Sequence, residues 1–209
     1  MNTALQKEVD RFRSWAVGRE GNYGEWECDY PDWPSLWKAA DDAIEHSPVT
    51  PLDDTDFLNL LYALGRDNEI EWIRKRLIRF PDLLRQLALR AVDHPDDATG
   101  WQIAVSISEA KLPDAASLLT PYLTDSNEYA RRRSLLALAL VDPTRAEEIA
   151  ISNLDDDYEY TRMAALSVLA AVGSVRVHAE AMRMLDDPDE YARGYAAKIL
   201  ESQKQDSPE

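Results

Sequence analysis

The sequence predicts an all-α fold, a right-handed α-α solenoid of about twelve helices with an irregular N-terminal cap. Three observations favour this fold. A short segment recurs every 31 residues, apolar residues after each copy fall at helical spacing, and only 7 of 209 residues are glycine. A fixed period of this length is typical of helix pairs that stack to bury a shared core.

The repeated segment has three aligned copies, at residues 123–131, 154–162 and 185–193. Each copy begins with Leu, has Tyr at its seventh position and ends with Arg, and no gap interrupts the 31-residue step. Acidic residues fill most of the positions between Leu and Tyr, and Asp or Asn before a helix can cap its first turn. Each copy therefore predicts an acidic turn that leads into a helix.

Helices are predicted on both sides of each acidic turn, because apolar residues follow the i, i+3, i+4, i+7 pattern. The face of the second helix is clearest in two copies: Thr161, Ala164, Ala165, Val168, Leu169; and Ala192, Tyr195, Ala196, Ile199, Leu200. The face of the first helix also repeats every 31 residues: Ala115, Leu119, Leu123; Ala146, Ala150, Leu154; and Val177, Ala181, Leu185.

The repeat weakens toward the N-terminus. A degenerate copy spans about residues 81–110, and residues 54–80 predict a further pair with a shortened turn. We therefore predict one continuous domain in four parts: N-terminal cap helices with an aromatic and acidic loop at 1–53, degenerate helix pairs at 54–110, three regular repeats at 111–204 and a disordered tail at 205–209.

The last copy carries a specific resemblance. Residues 185–200 combine an acidic turn containing Pro with Ala192, Arg193, two further alanines and a leucine. This segment resembles a HEAT repeat of the short, lyase-associated type, and the resemblance is good over residues 113–202. It implies an α-solenoid with a binding role and does not imply a particular reaction.

A second resemblance rests on the aromatic and acidic stretch at 18–34, followed by Asp53-Asp54 and residues 60–69. These features are similar to small bacterial HEAT-type proteins, some of which are suspected immunity factors of toxin systems. That resemblance implies an inhibitor of a toxin domain.

The charge balance excludes several partners. The chain has 23 Lys and Arg against 39 Asp and Glu, a net charge of −16 with a pI near 4.6. A nucleic-acid backbone or an anionic lipid surface needs surplus basic residues, so neither is predicted as a partner. The charge favours a cationic protein, with solubility as the alternative explanation. The single cysteine excludes a disulfide framework and indicates the cytoplasm, and no apolar run could span a membrane.

Residues 18–34 contain four aromatic and five acidic residues. One interpretation is a cap, in which the aromatics fill the first helix pair; the other is a recognition loop, because aromatics among charges are typical interface anchors. The candidate partner-binding residues in this stretch are Tyr23, Glu25, Trp26, Glu27, Asp29, Tyr30, Asp32 and Trp33.

The repeated tyrosines and arginines allow two interpretations each. Tyr129, Tyr160 and Tyr191 should form a stripe along one rim, either stacking between repeats or contacting a partner. We therefore add them to the candidate partner-binding residues. The arginines that end each copy are expected to bridge to a nearby acidic turn and tie helix pairs together.

The sequence offers no catalytic, cofactor-binding or metal-ligating set. Its three histidines, His46, His94 and His178, stand apart, and the aspartate runs at 155–157 and 186–187 lack the alternation of a calcium loop. No phosphate-binding glycine motif occurs. We therefore predict no enzyme activity and no cofactor.

These observations predict a non-enzymatic binding protein whose acidic surface engages a basic protein partner. The sharper hypothesis is an immunity protein that inhibits a basic toxin or nuclease domain. Two alternatives stay open: a HEAT-type enzyme or cofactor-handling lyase, and a scaffold or adaptor of a larger assembly.

Overall fold

The computed structural model describes residues 3–19, 30–92 and 99–205, with side chains up to residue 203. In these ranges the regular structure is entirely helical, with twelve α-helices and one short 3₁₀-helix. This confirms the predicted all-α class. Within the described ranges, no helix combines the length and the apolar character needed to cross a membrane. Of the predicted tail, residues 206–209 lie outside the described part of the chain.

The helices follow the chain in this order: α1 Ala4–Ala16, α2 Trp33–His46, α3 Asp54–Arg66, α4 Trp72–Leu77, α5 Pro81–Ala91, α6 Gly100–Glu109, α7 Ala115–Leu119, the 3₁₀-helix Pro121–Thr124, α8 Glu128–Ala139, α9 Pro143–Asn153, α10 Glu159–Ala171, α11 Val177–Met184 and α12 Glu190–Gln205. Backbone contacts divide the chain into two compact units, residues 1–130 and 131–209. In each unit, helices that are close in sequence pack on one another, as in an α-solenoid.

The first unit begins with an aromatic core. Helix α1 packs on α2 and α3 through its apolar face, and Phe12 on that face is fully buried. The Phe12 ring lies 4.8 Å from the ring of Tyr30 and 5.2 Å from that of Trp33. Apolar burial of this kind is the main stabilising term in folding, so these rings shield the end of the first helix pair.

A buried polar network joins four helices of the first unit. The fully buried carboxylate of Asp67, just after α3, accepts hydrogen bonds from the indole N–H of Trp37 at 3.1 Å and the backbone N–H of Ile73 at 2.6 Å. The side-chain amide of Gln102 donates to the Asp67 carbonyl at 3.3 Å. One aspartate therefore connects α2, α4 and α6 to the end of α3.

Gly100, the first residue of α6, fills a site where a side chain does not fit. A Cβ atom added there would lie 2.9 Å from Asp125 Oδ2, and Asp125 Oδ1 is held by the N–H of Asn127 at 2.8 Å. A Cβ at Gly194, in α12, would meet no atom within 4 Å.

We expect Gly100→Ala to lower the free energy of unfolding by about 1–2 kcal/mol, because the new methyl group displaces an anchored carboxylate. The matched change Gly194→Ala should raise it by about 0.5–1 kcal/mol, since alanine favours helix and the site is open. Urea unfolding followed by circular dichroism measures both changes. If the two substitutions were equally stabilising, the steric argument at Gly100 would be wrong.

The second unit buries most of the helical faces that the sequence predicts; on the α12 face Ala192 and Ala196 are buried, whereas Tyr195, Ile199 and Leu200 are half-buried. Helix α9 packs on α10, and α10 contacts both α11 and α12. All five residues predicted for the inner face of α10 are buried, as are Ala146 and Ala150 of α9 and Val177 and Ala181 of α11. The 31-residue periodicity in this unit therefore reflects the packing of consecutive helix pairs.

Candidate interaction surface

The acidic turns share one local hydrogen-bond pattern. In the second unit, Asp156 Oδ1 accepts from the N–H of Tyr158 at 2.9 Å, and Asp187 Oδ1 accepts from the N–H of Asp189 at 2.9 Å. The equivalent residue of the first copy, Asp125, accepts from an N–H two residues ahead in the same way. An aspartate that binds the backbone two residues on stabilises a tight turn, which explains why Asp recurs at the third position of each copy.

Arg162 joins two consecutive acidic turns. Its Nε and Nη2 donate to Asp187 Oδ2 and Oδ1 at 2.8 and 2.6 Å, while its Nη1 donates to the carbonyls of Asp156 and Asp157 at 2.8 and 3.1 Å. Both side chains of the ion pair are buried. Arg162 therefore confirms the predicted bridge between an arginine of one repeat and the turn of the next.

The hydrogen bonds from Arg162 hold the pKa of the Asp187 carboxyl below its usual value. The carboxylate therefore stabilises the fold above the pKa of about 3.9 that aspartate has in unfolded chains, and this contribution is lost as the pH falls through the lower folded-state pKa. We expect the difference in unfolding free energy between the wild type and Asp187→Asn to be largest near neutral pH and to shrink at lower pH. Urea unfolding at pH 7, 5 and 3 tests this, and a difference that stays constant would contradict it.

Arg193 reproduces only half of this arrangement. Its Nη1 donates to the carbonyls of Asp187 and Pro188 at 2.7 and 3.0 Å, as Arg162 does in the preceding turn. Its Nε and Nη2 find no partner in the described part of the chain. Arg193 therefore stabilises its own turn and makes no bridge there.

A cleft of about 550 Å³ lies between the two acidic turns of the second unit and is lined by five aspartates and two arginines. At its edge, Arg183 Nη1 donates to Asp155 Oδ1 at 2.5 Å. Asp157 and Asp186 are exposed to solvent. The cleft therefore has an excess of negative charge.

The three repeated tyrosines have different surroundings. Tyr191 is 61% exposed, whereas Tyr160 is half-buried, with the guanidinium of Arg132 5.1 Å from its ring centre. Tyr129, in the first unit, is exposed and packs edge-on against Trp101 at 5.4 Å. Each ring is solvent-accessible to a different extent, although the repeat places all three at the second residue of a helix.

Tyr158 is an exposed aromatic residue that the sequence analysis missed. It is 41% exposed and its ring lies 5.4 Å from that of Tyr160. It occupies the N-cap of α10, where it makes no side-chain cap, whereas Asn127 and Asp189 at the equivalent positions accept from backbone N–H groups of the next helix. Loss of a capping side chain typically costs about 1 kcal/mol. Aligning the three copies at this position would have identified the substitution.

The candidate residues near the N-terminus separate into three groups. Tyr30 and Trp33 are only 4% and 3% exposed and belong to the aromatic core, so we leave them out of the interaction surface proposed below. Burial, together with the charges of Asp32 and Glu8, raises the pKa of Tyr30 to about 12. Asp32 is half-exposed, 4.0 Å from the guanidinium of Arg11. Five candidates lie outside the described residues: Tyr23, Glu25, Trp26, Glu27 and Asp29.

The described residues contain no group of three or more His, Cys, Asp or Glu side chains arranged to hold a metal ion. His46 and His178 are exposed and well separated in sequence, and His94 lies outside the described ranges. The arrangement of the acidic turns, with exposed carboxylates beside exposed tyrosines, is suited to contact with a macromolecular surface.

Comparison with known proteins agrees with this architecture. The family model for HEAT repeats matches residues 118–201, which include all three copies of the acidic turn. No curated protein matches the chain. HEAT repeats generally mediate protein interactions and act as non-enzymatic scaffolds. The match confirms the resemblance seen in residues 113–202, and residues 118–201 of this chain carry HEAT repeats.

Proposed function

We propose that this protein is a non-enzymatic binding module whose acidic surface engages a cationic protein. The observation that carries the proposal is the edge of the second unit, where two consecutive turns present carboxylates to solvent beside exposed tyrosines. We assign to this surface Tyr158, Tyr160 and Tyr191 together with the exposed acids of residues 155–159 and 186–190.

The electrostatics of this edge support a basic partner. Residues 154–159 and 185–190 contain four acidic residues each, and in the described part of the chain only Asp155 and Asp187 among them are ion-paired. The net charge of −16 adds a long-range field of the same sign. Such a field accelerates encounter with a positively charged partner and disfavours acidic competitors.

The sharper form of the proposal is an immunity-type inhibitor in the cytoplasm that covers the active face of a basic toxin or nuclease domain. An acidic binder of a basic enzyme gains both a high association rate and selectivity from its charge. The alternative is a scaffold, which would use the same repeats to bind several partners instead of one target. The two differ in the number of partners and in whether binding blocks an activity.

Affinity capture from the native host tests the proposal at salt concentrations of about 0.05 and 0.5 M, which screen exposed charges to different extents. Three baits are compared: the wild type, the turn variant Asp157→Asn/Asp186→Asn, and the control Glu148→Gln/Glu201→Gln, which removes two exposed charges from helices of the same unit.

We expect one predominant basic protein on the wild-type and control baits at low salt, with less on the turn variant and a loss at high salt. The purified partner should then lose its activity on mixing with the wild type if the inhibitor form is correct. Several partners without inhibition would favour the scaffold. If the amount captured depended neither on the salt concentration nor on the turn charges, the proposed acidic interface would be wrong.

A further inference from the structure

We infer that Tyr158 anchors the interface by stacking on an arginine side chain of the partner, while the neighbouring carboxylates of Asp157 and Glu159 bind its guanidinium group. This inference rests on the proposed function, because it concerns the same acidic edge. It adds to the proposed function that the partner residue recognised is an arginine and that the side chain recognising it is Tyr158.

The first argument is the position of Tyr158 in the repeat. The equivalent residues, Asn127 and Asp189, accept hydrogen bonds from the first turn of the following helix, and Tyr158 cannot. A residue that departs from the capping pattern of its repeat is expected where a sequence serves a function as well as stability. Tyrosine at this position is therefore better explained by what its ring contacts.

The second argument is that the ring is both exposed and supported. Tyr158 is 41% exposed, and the centre of its ring lies 5.4 Å from that of Tyr160 at an interplanar angle of 55°. Tyr160 is in turn covered by the guanidinium of Arg132. An aromatic side chain that is positioned before binding loses little conformational entropy on contact, which is why tyrosines are common interface anchors.

The third argument is the charge on either side of the ring. Asp157 and Glu159 flank Tyr158 in the chain, and neither carboxylate is hydrogen-bonded or ion-paired within the described residues. The nearby carboxylate of Asp155 is already bound by Arg183. Two carboxylates that flank an exposed ring in the chain add local negative charge, which favours a cation at that ring.

Arginine fits this site better than lysine does. A guanidinium group is planar, so it can stack on a ring while its edge donates paired hydrogen bonds to carboxylates, whereas an ammonium group is a compact, strongly hydrated charge. The protein makes the same contact internally. The guanidinium groups of Arg13 and Arg66 lie 4.5 and 4.2 Å from the ring centre of Tyr62, and that of Arg90 lies 3.9 Å from Phe57.

The test measures binding of two synthetic peptides, octa-arginine and octa-lysine, by titration calorimetry at about 0.05 M salt, where exposed charges are weakly screened. The variants of the full chain are Tyr158→Asn, which removes the ring and restores a capping side chain; Tyr158→Phe, which keeps the ring; and Asp157→Asn/Glu159→Gln, which keeps the ring and removes the charges. Thermal unfolding of each variant is recorded alongside.

We expect Tyr158→Asn to weaken octa-arginine binding about five-fold, the effect of losing one cation–π contact, without a decrease in the midpoint of thermal unfolding. Its affinity for octa-lysine should change less than about two-fold, and Tyr158→Phe should bind octa-arginine like the wild type. The double acid variant should bind both peptides more weakly than the wild type does.

Several results would overturn the inference while the proposed function stands. One such result is that Tyr158→Asn binds octa-arginine as tightly as the wild type does. Another is that Tyr158→Asn loses the same affinity for both peptides. Either result counts in this way when the double acid variant binds both peptides more weakly than the wild type. If neither peptide binds the wild type, or if the double acid variant binds both peptides as the wild type does, the acidic interface itself is wrong and the inference fails with it.

Discussion

Replacing Asp67 with alanine is expected to lower the free energy of unfolding of the first unit by about 3–5 kcal/mol. Hydrogen bonds to a charged group contribute about 1.5–3 kcal/mol each, and a buried donor that loses its acceptor adds a further cost. The carboxylate is fully buried and accepts from the Trp37 indole and the Ile73 backbone. Alanine would leave the backbone N–H of Ile73, at the start of α4, without an acceptor, and would leave a void between α2 and α4.

Two controls separate this network from a general effect of removing an acid. Asp67→Asn keeps the volume and one oxygen acceptor, so it should recover part of the lost stability. Asp42→Ala removes a half-exposed carboxylate that is paired with Lys38, and it should change stability by less than about 0.5 kcal/mol. Urea unfolding followed by tryptophan fluorescence reports on the first unit, which contains all six tryptophans. An Asp67→Ala variant as stable as Asp42→Ala would contradict the network.

Replacing Arg162 with alanine is expected to destabilise the second unit by about 3 kcal/mol, because breaking a buried ion pair strands the remaining charge. The substitution leaves Asp187 with a single backbone donor, the N–H of Asp189, and frees the carbonyls of Asp156 and Asp157. The bridge between consecutive acidic turns would be lost, so α10 and α12 should separate more easily.

The matched control for this prediction is Arg193→Ala in the next repeat. Arg193 bonds the carbonyls of its own turn in the same way but holds no carboxylate there, so its loss should cost only about 1 kcal/mol. Urea unfolding followed by far-ultraviolet circular dichroism compares the two. Equal costs would show that the stabilisation comes from the turn carbonyls and that the ion pair with Asp187 contributes little.

Much of the second unit could be predicted from the sequence because its packing is periodic. The inner face of α10 and the bridge from Arg162 both follow from a 31-residue step, which carries each local arrangement to the next repeat. Tyr158 was missed because the alignment of the copies rested on the residues that they share, and this residue is one that differs.

The first unit was harder to predict because its key contacts join residues that are distant in the chain. Nothing near Asp67 indicates that Trp37 and Gln102 will converge on it, since those partners lie 30 and 35 residues away. The aromatic stretch at 18–34 was compatible with a cap and with a recognition loop because its composition suits both. Burial of Tyr30 and Trp33 depends on how α1 packs, which is a tertiary property.

The bridge made by Arg162 has a direction, because it runs from an arginine of one repeat to the aspartate of the turn that follows it. Arg193, one repeat further on, makes no such bridge in the described part of the chain. Because Arg193 in α12 holds no carboxylate there, we expect this helix to open at a lower free-energy cost than α10, which Arg162 ties to the next turn.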